Sequence, residues 1–175
     1  NQFRVPKRIR GMRMKTGKRG DMMNRIFTFN ETARGSLHIQ RGKPCQDCSD
    51  SFSAESGKFH VAVIADGHGA KACYRSDRGA RFAVETAMQN LIDFANAVLV
   101  SEESENCFYQ DIFTNPRYRK MTVRHLTDTI IAQWNDRVID DYKTDIPTME
   151  EAGEYAGTYD SESTYAHIYG TTLMA

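Results

Sequence analysis

Two aspartates, a glycine and a histidine have the types and spacing that metal-assisted hydrolysis requires. Asp66, Gly67 and His68 directly follow the apolar run Val61–Ala65, which predicts a buried β-strand that ends in a carboxylate. The glycine lets the backbone turn tightly and approach a ligand closely. Asp47 precedes that run, and it meets Asp66 at one sheet edge if their strands are neighbours. Paired carboxylates, backbone carbonyls and waters suit Mg²⁺ or Mn²⁺.

The chemistry of such a site is the activation of water. A water held between two divalent cations becomes a usable nucleophile near neutral pH, and His68 beside them can protonate a leaving oxygen. Arg41 and Lys43 are candidates to bind an anionic substrate. Each residue also has a simpler interpretation, because an Asp-Gly pair after a strand is commonly just a turn and basic loop residues are commonly solvated surface. The spacing alone leaves both interpretations open.

Composition indicates one globular domain. The 175 residues are 40% hydrophobic and 26% charged, which is ordinary for a chain that buries a sizeable core. No apolar run approaches the roughly 20 residues that a membrane helix needs. The first residues are polar and basic, without the apolar region of a secretory signal. We therefore expect a cytoplasmic protein that has no membrane partner.

The net charge of zero conceals a basic arm and an acidic body. Residues 1–25 hold nine Lys or Arg and one acid, so they carry +8 and the other 150 residues carry −8. We assign residues 1–24 to a disordered basic arm and residues 25–175 to the domain. The arm is interpreted as a solvated tail, as a segment that binds nucleic acid or another anionic surface, or as a segment that docks on the acidic body.

The four cysteines do not complete a metal or redox motif. Cys45 and Cys48 form a CxxC pair, but Cys73 and Cys107 are isolated, and a zinc site would need a second close pair or two histidines. A thioredoxin-like CxxC would lie between a strand and a helix, whereas this pair leads into a segment that looks extended. We expect reduced structural thiols.

Five segments have the composition or alternation of β-strands. They are Arg25–Phe29, Gly35–Gln40, Asp50–Ala54, Phe59–Ala65 and Tyr165–Ala175. The fourth is almost wholly apolar, which predicts burial on both faces. Because the chain stops inside the fifth, we expect the sequence to be the N-terminal portion of a larger domain.

Two segments with three- and four-residue apolar spacing are predicted to be helices. The first runs from Ser76, as N-cap, to about Val100 and has a face of small residues for close packing. The second runs from Met121 to about Tyr142, with an apolar stripe at Leu126, Ile130, Trp134, Val138 and Tyr142. Residues 101–120 and 144–164 are predicted to be loops.

Four motifs, in their order and spacing, carry a family resemblance. They are Gly35–Asp47, Ala65–Ala70, Ser76–Glu85 and Tyr169–Leu173. The chain in this respect resembles the metal-dependent serine/threonine protein phosphatases of type 2C, the PPM family. The likeness is closest to a bacterial branch whose first motif is His-x-x-x-Gly-x-Pro-x-Gln-Asp. It covers about residues 26–175 and leaves out the basic arm.

The resemblance implies an α+β fold, a four-layer α-β-β-α sandwich of two antiparallel sheets flanked by helices. It implies that Asp66 bridges two Mn²⁺ or Mg²⁺ ions, that the Gly67 carbonyl is a backbone ligand, and that Asp47 is both a metal ligand and part of the catalytic group. His68 matches a histidine proposed as general acid. The implied reaction is hydrolysis of phosphoserine or phosphothreonine in proteins by a metal-bound water, without a phosphoenzyme. A phosphoprotein substrate and a cognate serine/threonine kinase are the implied partners, rather than nucleic acid.

Departures from the family pattern leave a second function open. Gln46 stands where many members have Glu, which removes one charge from the second metal site. Gly42 occupies the position of the family's phosphate-binding arginine, so Arg41, Lys43 and His38 are alternatives for that role. The acidic motifs that would supply the remaining ligands lie beyond the last residue. The alternative function is a noncatalytic, truncated or degenerate phosphatase-like module that binds or regulates a partner such as a kinase. A third is nucleic-acid association through the basic arm.

Overall fold

The computed structural model describes residues 26, 28–54, 57–103, 111–112 and 114–175, and in this part the fold is α+β, as predicted. The elements in chain order are α1 (Ser36–Gln40), β1 (Asp47–Ser53), β2 (His60–Gly67), α2 (Ser76–Glu103), α3 (Pro116–Thr144), α4 (Met149–Ala152), a 3₁₀ turn (Gly153–Tyr155), α5 (Glu162–Ile168) and β3 (Thr171–Met174). The basic arm, residues 1–24, lies outside the described residues. None of the described helices is both long and apolar enough to span a membrane.

The described strands form one antiparallel sheet in the order β1-β2-β3. Along the central strand β2, Val61, Val63 and Ala65 are buried, whereas Ala62 and Ile64 are exposed. The prediction that this strand is buried on both faces is therefore wrong. Its buried residues pack against helix α2, while the opposite face remains exposed in the described part of the chain.

Helix α2 confirms the predicted helix from Ser76, and it supplies half of the main core. Five of its buried apolar residues belong to the same hydrophobic cluster as Val61, Val63 and Ala65 of β2, and they are Ala80, Ala83, Val84, Ala87 and Met88. Small side chains allow the helix to lie close to the sheet, which is the packing that the alanine-rich face predicts. Asp77 lies in the first turn, where a negative charge interacts favourably with the helix dipole.

Gly79 lets helix α2 contact the chain just before β3. A Cβ atom at this position would overlap the carbonyl oxygen of Tyr169 and lie 2.8 Å from its carbonyl carbon. The Gly79 carbonyl also accepts a hydrogen bond of 2.9 Å from Nε1 of Trp134 in α3. One glycine thus brings α2, α3 and the start of β3 together.

Helix α3 begins at Pro116, earlier than the predicted Met121. The side chain of the N-cap Asn115 accepts a hydrogen bond of 3.0 Å from the backbone N–H of Arg117, and proline is well suited to the first helical position. The prediction of a loop over residues 101–120 is therefore wrong at both ends, because α2 continues to Glu103 and α3 begins at Pro116. Of the predicted stripe, Ile130 and Val138 are buried, and the other three residues are partly buried.

The segment Gly35–Gln40 is not a strand, contrary to prediction. Ser36–Gln40 forms the one-turn helix α1, in which Leu37 and Ile39 are 58% and 55% exposed. An apolar alternation specifies a strand only where a neighbouring strand can pair with it. Of the predicted strand 25–29, residues 25 and 27 lie outside the described residues, and Ile26, Thr28 and Phe29 are not in a strand.

Two predictions for the C-terminal part are also wrong. The predicted loop 144–164 contains α4 and the 3₁₀ turn, and the predicted strand from Tyr165 is largely helix α5, with β3 limited to Thr171–Met174. A capping box between Ser161 and Thr164 starts α5. Tyr165 and Ile168 are both buried, which is the spacing of one helix face.

Arg75, just before α2, is 1% exposed and joins the helical elements at the end of the sheet. Its guanidinium donates to both carboxylate oxygens of Glu151 at 2.6 and 2.9 Å. It also donates to the Asp145 carbonyl at 2.6 Å and to the Tyr169 hydroxyl at 3.0 Å. The Tyr169 hydroxyl in turn donates to Asp141 at 2.6 Å. Burial alone would lower the pKa of Arg75, but its bonds to Glu151 and Tyr169 raise it above the ordinary value.

We predict that Gly79→Ala destabilises the fold. Alanine normally stabilises a helix relative to glycine by about 1 kcal/mol, but here the new methyl group overlaps the Tyr169 backbone. The expected result is a loss of at least about 2 kcal/mol in the free energy of unfolding, because overpacking against backbone cannot be relieved by a side-chain shift. The measurement is urea unfolding followed by circular dichroism. Gly35→Ala, where a Cβ meets nothing within 4 Å, is the control; equal stability of the two variants would contradict the prediction.

We predict that acid unfolding depends on Glu151. Its hydrogen bonds to Arg75 lower the pKa of this carboxyl from the ordinary value of 4.5. A lowered folded-state pKa means that the contribution to stability is present above pH 4.5 and is lost as the pH falls through the lowered pKa. Thermal unfolding from neutral to acidic pH should show a lower Tm for Glu151→Gln at neutral pH and a flatter decline on acidification. Glu150→Gln, on the same helix, should follow the wild type. Parallel curves for Glu151→Gln and wild type would rule this role out.

A candidate metal site at the sheet edge

Asp47 and Asp66 lie opposite each other at one end of the sheet. The antiparallel register of β1 and β2 pairs Asp47 with Asp66, Cys48 with Ala65 and so on along the strands. Directly opposed residues of an antiparallel pair project from the same face. The structure therefore brings together the two carboxylates that the sequence places nineteen positions apart.

The turn that follows Asp66 requires glycine at position 67. A Cβ atom there would lie 2.5 Å from the Gln46 carbonyl oxygen and 2.7 Å from the Ser76 carbonyl oxygen, both of which belong to the backbone. The Gly67 N–H donates to that Gln46 carbonyl at 3.1 Å. Gly67 is therefore enclosed between the residue before β1 and the first residue of α2.

Strand β3 supports the same turn from the other side. The Thr171 hydroxyl donates to the Asp66 carbonyl at 2.9 Å, and the His68 N–H donates to the Gly170 carbonyl at 2.9 Å. The His68 ring is exposed, with Nε2 3.4 Å from the Thr172 hydroxyl oxygen. Its side chain therefore lies at the surface next to Thr172, the residue that β3 places opposite Asp66.

The two carboxylates interact unfavourably when no cation lies between them. Desolvation, the charge of Asp66 and a hydrogen bond with Asp66 raise the pKa of Asp47, and His38 opposes them. A divalent cation would relieve this repulsion, so the opposed position of the two carboxylates favours a metal site. His38 is thus the basic side chain that acts on Asp47. Arg41 is exposed in the turn after α1, and Lys43 is partly buried beyond it.

An open cleft lies beside the pair. Its lining includes the segment with Glu31, Thr32 and Ala33, as well as Asp47 and Asp66. Hydrogen bonds to Ser49 in β1 hold this segment, from the Asn30 side-chain amide at 2.8 Å to the Ser49 carbonyl and between the Thr32 and Ser49 hydroxyls at 2.7 Å. No sequence pattern indicates Glu31, because it lies in a stretch without apolar periodicity. Thr171 and Thr172 belong to the fourth sequence motif, which by itself assigns them no role.

The donor set fits a hard cation that retains water. Asp47 and Asp66 offer carboxylate oxygens from directly opposed positions, and the Gly67 carbonyl next in the chain is a candidate third ligand of the oxygen type that Mg²⁺ and Mn²⁺ prefer. Across the part of the chain that the structure describes, no group of three or more His, Cys, Asp or Glu side chains is arranged to hold a metal ion. Waters would therefore complete the coordination. Cys45, Cys48 and Cys73 are free thiols, and their structural role stays a prediction.

Comparison with known proteins gives a family match. The model of the family described as protein phosphatase 2C matches residues 34–175, which include the acidic pair, the Gly67 turn and the helices packed on the sheet. No curated protein and no solved structure matches the chain.

We predict that Asp47→Asn stabilises the metal-free protein. The substitution removes a like charge opposite Asp66 and keeps the shape of the side chain. Because Asp47 is exposed, the gain in the free energy of unfolding should be small, about a few tenths of a kcal/mol. The measurement is urea unfolding in the presence of EDTA.

Asp50→Asn, on the same strand but opposite Val63, should leave stability unchanged and serves as the control. Lower stability of Asp47→Asn than of the wild type would show that the Asp47 carboxylate stabilises the fold without a cation.

Proposed function

The chain belongs to the protein phosphatase 2C family, and we propose that it takes part in metal-dependent hydrolysis of phosphoserine or phosphothreonine in proteins. The observation that carries the proposal is the pairing of Asp47 with Asp66 across β1 and β2, next to a turn in which only glycine fits. Two directly opposed carboxylates destabilise a fold when no cation lies between them. A cation-dependent function gives a reason for retaining them.

Each residue of the site has a proposed role. Asp47, Asp66 and the Gly67 carbonyl would hold Mn²⁺ or Mg²⁺, and the bound cations would supply an activated water and neutralise charge on the phosphate. His68, exposed next to Thr172 of β3, is the proposed donor of a proton to the oxygen of the departing serine or threonine. Its Nε2 can exchange a hydrogen bond with the Thr172 hydroxyl, which orients the ring.

The substrate phosphate is proposed to meet the basic groups next to α1. Arg41 and Lys43 follow that helix, and His38 within it lies close enough to act electrostatically on Asp47. A phosphorylated side chain between them and the cations would have positive charge on both sides. The open cleft beside Asp47 and Asp66 gives a peptide access to this region.

The wider setting is proposed from the family. The described sheet, with helices on one face, would be one half of the four-layer sandwich, and its exposed face would meet a second sheet. The proposed setting is the cytoplasm, with phosphoproteins as substrates and a cognate serine/threonine kinase as a partner.

A second candidate is a noncatalytic member of the family that binds or regulates a partner. The observation in its favour is that Gln46, at the position where many members have Glu, directs its amide toward buried Ser76 rather than toward the acidic pair. The site then has one negative charge fewer than those members have. Turnover separates this candidate from the first.

We predict that Asp66→Asn abolishes Mn²⁺-dependent turnover while the fold is kept. Asp66 is exposed at a strand end, so the substitution removes a ligand charge without disturbing the core. The measurement is release of phosphate from a phosphothreonine peptide, with and without Mn²⁺, and circular dichroism of each variant. The expected loss is at least about a hundredfold, since a metal ligand contributes several kcal/mol to the transition state.

Asp50→Asn is the matched control, because this aspartate lies on the paired strand β1 but away from Asp66. It should retain wild-type turnover. Equal Mn²⁺-dependent turnover in Asp66→Asn and wild type would exclude Asp66 as a ligand. Absence of turnover in a folded wild-type sample would favour the noncatalytic member.

A further inference from the structure

Gln46 is a buried polar residue whose side chain has two specific partners. It is 8% exposed, and its Nε2 donates to the Ser76 hydroxyl oxygen at 2.6 Å and to the His68 carbonyl at 3.2 Å. Ser76 is completely buried at the first position of α2. The amide of Gln46 therefore connects the start of this helix to the turn that carries Gly67 and His68.

The backbone of the same residue holds the other side of that turn. The Gln46 carbonyl accepts from the Gly67 N–H, and it lies 2.5 Å from where a Cβ of residue 67 would be. Gln46 thus touches the turn through its main chain at Gly67 and through its side chain at the His68 carbonyl.

These hydrogen bonds determine the orientation of two successive peptide planes, Gly67–His68 and His68–Gly69. The His68 N–H donates to the Gly170 carbonyl in the direction of β3. In a trans peptide the Gly67 carbonyl points the opposite way, toward the side of β1 where Asp47 lies. The next peptide is held by Gln46 through the His68 carbonyl. With both planes held, the Gly67 carbonyl and the Cα–Cβ bond of His68 have one orientation relative to the strands that carry the aspartates.

We propose that Gln46, supported by Ser76, is a positioning residue that orients the Gly67 carbonyl and His68 for cation binding and is not itself a ligand. The role rests on the proposed function, because it matters only if a cation binds at Asp47 and Asp66. The side-chain amide points away from that pair, toward the start of α2. Substitution of a residue that hydrogen-bonds to a metal ligand, without binding the metal itself, commonly lowers metal affinity by about 10- to 100-fold.

The experiment uses three single variants of the full chain. Gln46→Met removes the amide at nearly constant length, and Ser76→Ala removes the hydroxyl that supports it. Gln46→Glu restores the residue type that many family members have. Gln89→Met is the control, because Gln89 is exposed on α2 and its amide bonds only Asp93 among the described residues.

The first measurement needs no metal. Amide hydrogen exchange, followed by NMR in EDTA, should be at least about tenfold faster at Gly67 and His68 in Gln46→Met and Ser76→Ala, because the turn opens locally more often. The amide of Val63, in the middle of β2, should exchange as in the wild type. Gln89→Met should match the wild type at all three positions.

The second measurement is Mn²⁺ affinity by titration calorimetry, well below the Tm of each variant. Gln46→Met and Ser76→Ala should each bind Mn²⁺ about tenfold more weakly, and the double variant no more weakly than that, because both changes release the same turn. Gln46→Glu should also bind more weakly, since a carboxylate cannot donate to the His68 carbonyl.

Tighter Mn²⁺ binding by Gln46→Glu would overturn the proposal, because it would mean that this side chain faces the cation. Faster exchange with unchanged Mn²⁺ affinity would also overturn it, since the residue would then serve stability alone. A wild type that binds Mn²⁺ no better than Asp66→Asn would instead refute the proposed function, together with any role of Gln46 in it.

Discussion

The register between β1 and β2 determines where the acidic groups of this domain lie. Because the side-chain period of a strand is two residues, a slip by one position would turn every side chain of β1 to the other face. Asp47 would then move to the side of the sheet that α2 covers. The buried face of β2, with Val61, Val63 and Ala65, and the enclosed Gly67 at its end both hold the observed register. The packing of the core and the position of the two aspartates thus depend on the same strand register.

Close backbone contacts transmit this constraint from the sheet to the helices. Gly67 lies against the carbonyls of Gln46 and Ser76, and Gly79, one turn into α2, lies against Tyr169 just before β3. The buried Arg75 lies between these two contacts along the chain and joins the distant Glu151 to them. The start of α2 therefore cannot shift without displacing the turn beside Asp66. Such support from rigid elements is what a site with fixed ligand geometry needs.

The sequence predicts those parts of the fold in which an apolar pattern continues over many residues. Helix α2, the centre of α3, strand β2 and the meeting of Asp47 with Asp66 all follow from apolar spacing and strand order. Short elements were predicted less well, because five or six residues carry too little periodicity. Leu37 and Ile39 alternate with polar residues as in a strand, but they lie in an exposed helical turn. The segment that begins at Tyr165 has the composition of a strand, but its first residues belong to helix α5.

The supporting contacts could not be predicted, because they join residues far apart in sequence. Nothing near Arg75 in the chain indicates Glu151 as its partner, and nothing near Gln46 indicates Ser76. The two glycines were recognisable as residue types, but the atoms that exclude a side chain are known only from the folded structure. For the same reason the acidic pair could be foreseen, while the residues that orient it could not.

The most direct test of the proposed metal site is to locate the cation itself. Crystals of the chain grown with Mn²⁺ should show an anomalous scattering peak between the carboxylates of Asp47 and Asp66, next to the Gly67 carbonyl. We expect a Mn²⁺ ion at this position, with the Gln46 side chain still directed toward Ser76. A Mn²⁺ ion bound elsewhere, or a site that remains empty at Mn²⁺ concentrations that saturate binding in solution, would contradict this expectation.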